Sequence, residues 1–132
     1  METLEVKTDN HDQLIDITDQ VRSAISRMQF DDGVLVVYVP HTTAGILINE
    51  AADPSVAHDV QEDLKRLVPW EQSYYRHREG NSSSHARASL VGSSELVIVE
   101  NGKPQLGTWQ GIFFIEFDGP RRRKVYLKAL PV

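Results

Sequence analysis

The sequence predicts a single α+β domain in which most strands pair antiparallel and helices lie between them. Strand patterns and helical patterns follow one another without a repeating βαβ unit, which argues against a parallel sheet. Asn101-Gly102, between two apolar segments, is the dipeptide most typical of a two-residue hairpin turn. No linker or low-complexity segment divides the 132 residues, so we expect one domain over residues 1–132.

The N-terminal part of the chain contains two strand patterns separated by a helix. Residues 4–7 alternate apolar and polar side chains as an edge strand does, and Asn10-His11-Asp12 supplies a turn. From Thr18, the expected N-cap, apolar residues recur at the spacing of one helical face. Residues 33–39 are largely β-branched without polar alternation, which predicts a central strand covered on both faces.

A short polar segment, His41-Thr42-Thr43-Ala44-Gly45, separates this strand from the next one at residues 46–50. Its hydroxyl residues and glycine suit either a bulge beside a functional site or a plain hairpin turn, and both remain open. Asp53-Pro54 then begins an amphipathic helix, with Asp53 as N-cap and Pro54 at the first helical position. The apolar spacing continues to Leu67, and Pro69 prevents further extension.

The rest of the chain is expected to form one short helix and several strands. The helix is predicted over residues 84–90. Residues 96–99 form a strand before the hairpin turn, and a longer strand runs from Trp109 toward Asp118. Residues 125–127 alternate as a final strand.

The composition restricts the classes of function. The chain has no cysteine, so disulfides and thiolate metal sites are excluded, and any metal must use nitrogen and oxygen ligands. The net charge of −5 and the pI near 5.5 argue against a nucleic-acid partner. No signal peptide is recognisable and no apolar segment could span a membrane, so we expect a cytoplasmic protein without a membrane partner.

Three histidines are the candidates for chemistry. His77 and His85 lie eight residues apart with Gly80 and Asn81 between them, so only the fold can bring their rings together. His85 is expected in the first turn of a helix, where free N–H groups favour an anion and a neutral imidazole. His41 opens the polar segment after the central strand. Residues of this kind indicate an anion site or a metal site, whereas a single histidine is more often a surface residue.

The basic segment Arg121-Arg122-Arg123-Lys124 is the one local excess of positive charge in an acidic chain. It is interpreted either as a solvated strand end or as an arginine clamp on a phosphate or carboxylate. RNA binding is a weaker interpretation because the chain as a whole is negatively charged.

Four motifs in this order carry a resemblance to a known family. They are PHTTAGILINEAADP, HDVQEDLKRLVP, HREGNSSSHARASLVGSS and LGTWQGIFFIEFDGPRRRKV. Together they resemble the YjbQ-like family, also called the secondary thiamine-phosphate synthase family, over residues 39–125. The resemblance implies a mixed β-sandwich with flanking helices that assembles as a homotrimer. It also implies a weak, secondary thiamine-phosphate synthase activity with an unknown physiological reaction, and we expect a small metal-dependent enzyme.

Among the positions that match the family's motifs are three histidines, the Asn49-Glu50 pair, Glu116 and Arg121, and we expect the chemistry at these residues. His41, His77 and His85 are expected to bind one divalent metal, most naturally zinc, with one coordination position left open. The expected catalytic residues are Asn49, Glu50, Glu116 and Arg121: a glutamate serves as base or orients a ligand, and Arg121 or Arg123 pairs with a phosphate. The alternative is a non-catalytic trimer that binds a small phosphorylated or anionic ligand, in which the histidines only form hydrogen bonds.

Overall fold

The computed structural model of the protein describes residues 1–132 and contains eight strands and three helices. In chain order the elements are β1 (Glu2–Lys7), β2 (Gln13–Asp16), α1 (Thr18–Arg27), β3 (Gly33–Tyr38), β4 (Ala44–Glu50), α2 (Pro54–Leu67), α3 (Ser82–Val91), β5 (Ser94–Glu100), β6 (Lys103–Pro104), β7 (Gln110–Glu116) and β8 (Arg122–Pro131). All strand pairs are antiparallel, so the predicted α+β class is confirmed. None of the helices has the length and apolar character that a membrane crossing requires.

The strands form two curled sheets. One has five strands in the order β1-β8-β3-β5-β6, and the other has three in the order β2-β7-β4. The predicted central position of β3 is confirmed, because Val36 on β3 lies opposite Leu96 on one side and Lys128 on the other. β3 and β4 belong to different sheets, so the polar segment between them is not a hairpin turn.

The main hydrophobic core lies between the two sheets and includes the inner face of α1. Val21, Ala24 and Ile25 of this helix are fully buried, in agreement with the helical spacing read from the sequence. They pack with Leu35 of the five-stranded sheet and Phe114 of the three-stranded sheet, both of which have no exposed surface. Burial of apolar area of this kind is the main force that holds the two sheets together.

A second, smaller apolar cluster covers the other face of the three-stranded sheet. Ile115 and Phe117 meet Ala88 of α3, and Leu64 of α2 packs at the edge of the cluster. β7 is therefore the strand that is covered on both faces. β3 was also predicted to be covered on both faces, but in the single chain the outer face of the five-stranded sheet is open and Tyr38 is 41% exposed there.

Two local features differ from the sequence prediction at the start of α1. β2, a strand of only four residues, was not predicted. Thr18 is the first helical residue rather than the N-cap, which is Ile17. The Thr18 hydroxyl donates to Asp16 Oδ1 at 2.5 Å and accepts the Ile112 N–H at 2.9 Å. Thr18 thus joins α1 to β7 instead of capping its own helix.

The other two helices begin and end close to the predicted positions. Asp53 is the N-cap of α2, and its carboxylate accepts the Ser55 N–H at 2.9 Å. α3 starts two residues earlier than expected and ends at Val91, before Gly92. A side chain on Gly45 would come within 2.7 Å of the Gly92 carbonyl oxygen, so the glycine allows β4 to lie directly against the end of α3.

A buried ion pair connects the two sheets beside the polar segment. Arg123 Nε donates to Glu116 Oε1 at 2.8 Å, and Arg123 Nη2 donates to Glu116 Oε2 and, at 2.9 Å, to the Thr43 hydroxyl. The Thr8 hydroxyl donates to Glu116 Oε1 at 2.8 Å. Glu116 has no exposed surface and Arg123 is 5% exposed, so both charges depend on these partners.

Loss of the Glu116 charge is expected to destabilise the fold. Glu116→Gln leaves the buried Arg123 guanidinium without a counterion, which should lower the free energy of unfolding by about 3 kcal/mol. Urea denaturation measures this change. Glu100→Gln, at an exposed position of β5, is the control and should stay within about 0.5 kcal/mol of the wild type. A Glu116→Gln variant as stable as the wild type would contradict a structural role for the pair.

Candidate functional site

The three candidate histidines line one cavity of about 410 Å³. His41 approaches from the segment after β3, His77 from the loop between α2 and α3, and His85 from the first turns of α3. The rest of the lining is Pro40, Thr42, Thr43, Glu79, Asn81, Asp118, Arg121 and Arg123. All the lining residues except Pro40 carry polar or charged groups, which suits a small charged ligand better than an apolar one.

A tight turn brings His77 and His85 together. The Gly80 N–H donates to the His77 carbonyl at 3.3 Å, and Gly80 has a φ of 74°, a conformation that glycine adopts without strain. The chain then enters α3 with Asn81 at the N-cap. The imidazole rings of His77 and His85 lie 5.3 Å apart between centroids and nearly perpendicular, at 88°. The eight-residue spacing is therefore compatible with a paired arrangement.

The backbone of β8 determines the tautomer of His41. The Lys124 N–H donates to His41 Nε2 at 2.9 Å, so this nitrogen must carry a free electron pair. Burial lowers the pKa of His41, and the charge of Arg123 lowers it further, against a smaller opposing effect of Glu116. His41 is thus a neutral imidazole whose proton lies on Nδ1.

A network around Asp118 forms the wall of the cavity next to α3. The Asn81 side-chain amide donates to Asp118 Oδ2 at 2.8 Å, and Arg121 Nη2 donates to the same oxygen at 3.0 Å. Burial alone would raise the pKa of Asp118, but these two hydrogen bonds and the Arg121 charge outweigh it and lower the pKa. Asp118 is therefore an anion that holds Arg121 at the rim, where its side chain is 52% exposed.

The arrangement does not fit a three-histidine metal site as it stands. No group of three His, Cys, Asp or Glu side chains is placed to hold a metal ion. His41 Nε2 accepts the Lys124 N–H, and Nδ1 carries the proton, so neither nitrogen offers an electron pair to a metal. The zinc site expected from the family resemblance stays a prediction that requires His41 to change its hydrogen bond.

Asn49 and Glu50 do not lie at this cavity within one chain. β4 begins at Ala44, which is close to the histidines, and reaches Glu50 six residues later at its opposite end. At about 3.3 Å per residue, the two ends of the strand are roughly 20 Å apart. The two halves of the HTTAGILINE motif therefore lie at opposite ends of the three-stranded sheet.

Glu116 and Arg123 are close to the cavity, but their charged groups are bound to each other in the buried ion pair. No ligand can reach the Glu116 carboxylate without breaking its bonds to Arg123 and Thr8. Of the two arginines that line the cavity, Arg121 is the one that remains available to a ligand. The site assignments of Glu50, Asn49 and Glu116 stay predictions.

Two wall residues were not recognised from the sequence. Asp118 was placed only at the end of a predicted strand, and Asn81 only in the segment between His77 and His85. The available signal was the position of Asp118, a charged residue that directly follows the apolar Phe117 just after β7. Its partner Asn81 is 37 residues away in sequence, so the pairing itself had no local signal.

Comparisons with known proteins point to one family. A family model described as "UPF0047 protein YjbQ-like" matches residues 2–131. The chain is 55% identical to the UPF0047 protein MJ1081 of Methanocaldococcus jannaschii, over 96% of this chain and 91% of that protein. It is 48% identical to the UPF0047 protein YugU of Bacillus subtilis, over 98% of each. The crystal structure of an uncharacterised YjbQ/UPF0047 protein from Clostridium acetobutylicum has a TM-score of 0.95 and 52% identity, covering 98% of this chain and 100% of that one. These descriptions name no activity or ligand.

The lowered pKa of His41 is expected to make stability depend on pH. Between the usual imidazole pKa of about 6.5 and the lower value in the fold, the unfolded chain binds a proton that the folded chain does not. The contribution of His41 is therefore complete above about pH 6.5 and is lost as the pH falls through the folded-state value. Urea denaturation of metal-free protein from about pH 7.5 to 5 should show a smaller loss in His41→Gln than in the wild type. Identical slopes for the two proteins would argue against this assignment.

Proposed function

The chain belongs to the YjbQ-like UPF0047 family, and from the cavity described above we propose that it binds a small phosphorylated or otherwise anionic ligand there. The observation that carries the proposal is the hydrogen bond from the Lys124 N–H to His41 Nε2. This bond leaves His41 with an N–H donor at Nδ1 and no free acceptor nitrogen. A ring held in this state donates to an anion.

Other positive groups around the cavity support the same ligand class. α3 begins at the cavity wall, and its first N–H groups and dipole favour a negative charge. Arg121 is held at the rim by Asp118 and keeps guanidinium N–H groups on its exposed side. His77 and His85 can each donate from one ring nitrogen when neutral and from both when protonated.

A metal-dependent enzyme is the second candidate. The observation that favours it is the close pair of His77 and His85, with a Glu79 carboxylate oxygen 3.9 Å from His77 Nε2. Two imidazoles and a carboxylate are ligand types that zinc accepts. The weak thiamine-phosphate synthase activity implied by the family resemblance belongs to this candidate, and its physiological reaction is unknown. It requires either a new His41 hydrogen bond or another ligand in place of His41.

A homotrimer is part of both candidates. The outer face of the five-stranded sheet exposes large apolar side chains on three neighbouring strands, among them Tyr38, Leu96, Ile98 and Leu130. A contiguous apolar surface of this kind is typical of a protein interface. Contact between subunits is also the route by which Asn49 and Glu50 of one chain could approach the histidine cavity of another.

The two ligand classes predict opposite pH dependence. Sulfate keeps its charge between about pH 5 and 8, while histidines in general gain protons near pH 6.5, so sulfate affinity should rise as the pH falls. Zinc competes with protons for the same nitrogens, so its affinity should fall over this interval. Calorimetric titrations of each ion at several pH values measure both trends.

Matched variants test the location of the site. His85→Ala should weaken sulfate binding about tenfold, the effect of losing one charge-assisted hydrogen bond. His58→Ala, at an exposed histidine of α2, should leave it unchanged. Sulfate binding that is equally strong in both variants would refute the anion proposal. Stoichiometric zinc in the purified protein that is lost in His85→Ala would favour the metal-dependent enzyme instead.

Light scattering tests the assembly. The wild type is expected to have three times the 14.9 kDa mass of one chain at micromolar concentration. Ile98→Lys places a charge on the outer face of the sheet and should dissociate the trimer. Leu67→Lys is the control, because Leu67 is equally apolar and 72% exposed but lies on α2. A monomeric wild type would remove the shared-cavity argument.

A further inference from the structure

A second cavity, of about 640 Å³, lies next to the histidine cavity and has no part in the function proposed above. Its lining consists of His11, Asp12, Lys65, Pro69, Trp70 and Arg87. The two cavities adjoin through one contact, since His11 Nε2 is 3.4 Å from Asp118 Oδ1 in the wall of the histidine cavity. The second cavity is shallow and open to solvent on one side, and its volume is within the range of small-molecule sites.

A buried guanidinium is fixed in the wall of this second cavity. The Arg87 side chain is 4% exposed; its Nε donates to the Val68 carbonyl at 3.0 Å and its Nη1 to Asp12 Oδ1 at 3.2 Å. Its Nη2 makes no hydrogen bond within the protein. Nη2 is not one of the fully buried polar atoms, so it is accessible to a ligand, and a guanidinium whose other donors are fixed in the wall suits an anionic group.

Aromatic and cationic groups complete the cavity. Trp70 is 38% exposed, and its ring meets His11 edge to face with centroids 4.8 Å apart, which restricts the orientation of both rings. Lys65 reaches the cavity from the last turn of α2. Its ammonium lies 3.5 Å from the partly exposed Glu62 carboxylate, and solvent screens this ion pair. Asp12 is already paired with Arg87 and His11, which reduces its repulsion of a second anion.

We propose that this cavity binds a small aromatic anion. The ligand ring packs against Trp70 and Pro69, and its carboxylate or phosphate group pairs with the Lys65 ammonium and the free Arg87 Nη2. The aromatic part of the ligand covers the exposed part of Trp70, and its anionic part pairs with the Lys65 and Arg87 cations. The protein then holds two ligands in neighbouring cavities that share the His11–Asp118 contact.

The two tryptophans of the chain provide the test. In ¹⁵N-labelled protein each indole N–H gives one NMR signal, and Trp109→Phe identifies the signal of Trp70. Titration with phenyl phosphate or benzoate should shift the Trp70 signal saturably, and the tighter of the two identifies the anionic group. Inorganic phosphate, which lacks the ring, should not shift this signal.

Two single variants, Lys65→Gln and Arg66→Gln, distinguish a specific binding site from nonspecific attraction between charges. Lys65→Gln should raise the Kd of the aromatic anion about tenfold, as expected for one charge-assisted hydrogen bond. Arg66→Gln removes the same charge from the same last turn of α2 but lies outside the cavity lining, so its Kd should stay within about twofold. The proposal is overturned by no saturable shift with either aromatic anion, or by equal weakening in both variants. It is also overturned if His77→Ala abolishes the shift, since the ligand would then occupy the histidine cavity.

Discussion

The buried ion pair between Glu116 and Arg123 is the interaction on which the rest of the structure depends. It joins the end of β7 in one sheet to the start of β8 in the other, and it holds Thr43 of the polar segment by a second hydrogen bond. Breaking a buried pair leaves one charge without compensation, which costs far more than the pair contributes net when intact. The pair therefore fixes the position of β8 relative to His41, whose Nε2 accepts the N–H of the next residue, Lys124.

The chemistry of the histidine cavity follows from this arrangement. Burial and the charge of Arg123 lower the pKa of His41, and the β8 backbone assigns its proton to Nδ1. A ring in this state is a donor and not a metal ligand, which supports the proposed anionic ligand over the zinc predicted from the three histidines. The two ligand classes differ in whether His41 keeps its hydrogen bond to the Lys124 N–H. One backbone hydrogen bond contributes about 1 kcal/mol net, which is small enough for a tightly bound metal to displace it.

Elements with a strong local pattern could be predicted from the sequence, and features set by distant contacts could not. α1 and the N-cap of α2 were recognised because helical spacing and capping involve residues within one or two turns. β2 was missed because its pairing partner is β7, about a hundred residues later. The outer face of β3 was predicted to be covered because its residues are apolar on both sides, but in the single chain this face is open, and the strand covered on both faces is β7.

By itself the sequence determined the α+β class, the family, and the absence of thiolate ligands, since these depend on local pattern, long motifs and composition. The tertiary structure alone decided which candidate residues meet. His77 and His85 converge because one glycine turn precedes a helix, whereas Glu50 is carried away from His41 by the extended geometry of β4. The tautomer of His41 depends on a backbone N–H 83 residues later in the chain, and no local pattern of residues encodes a contact over that separation.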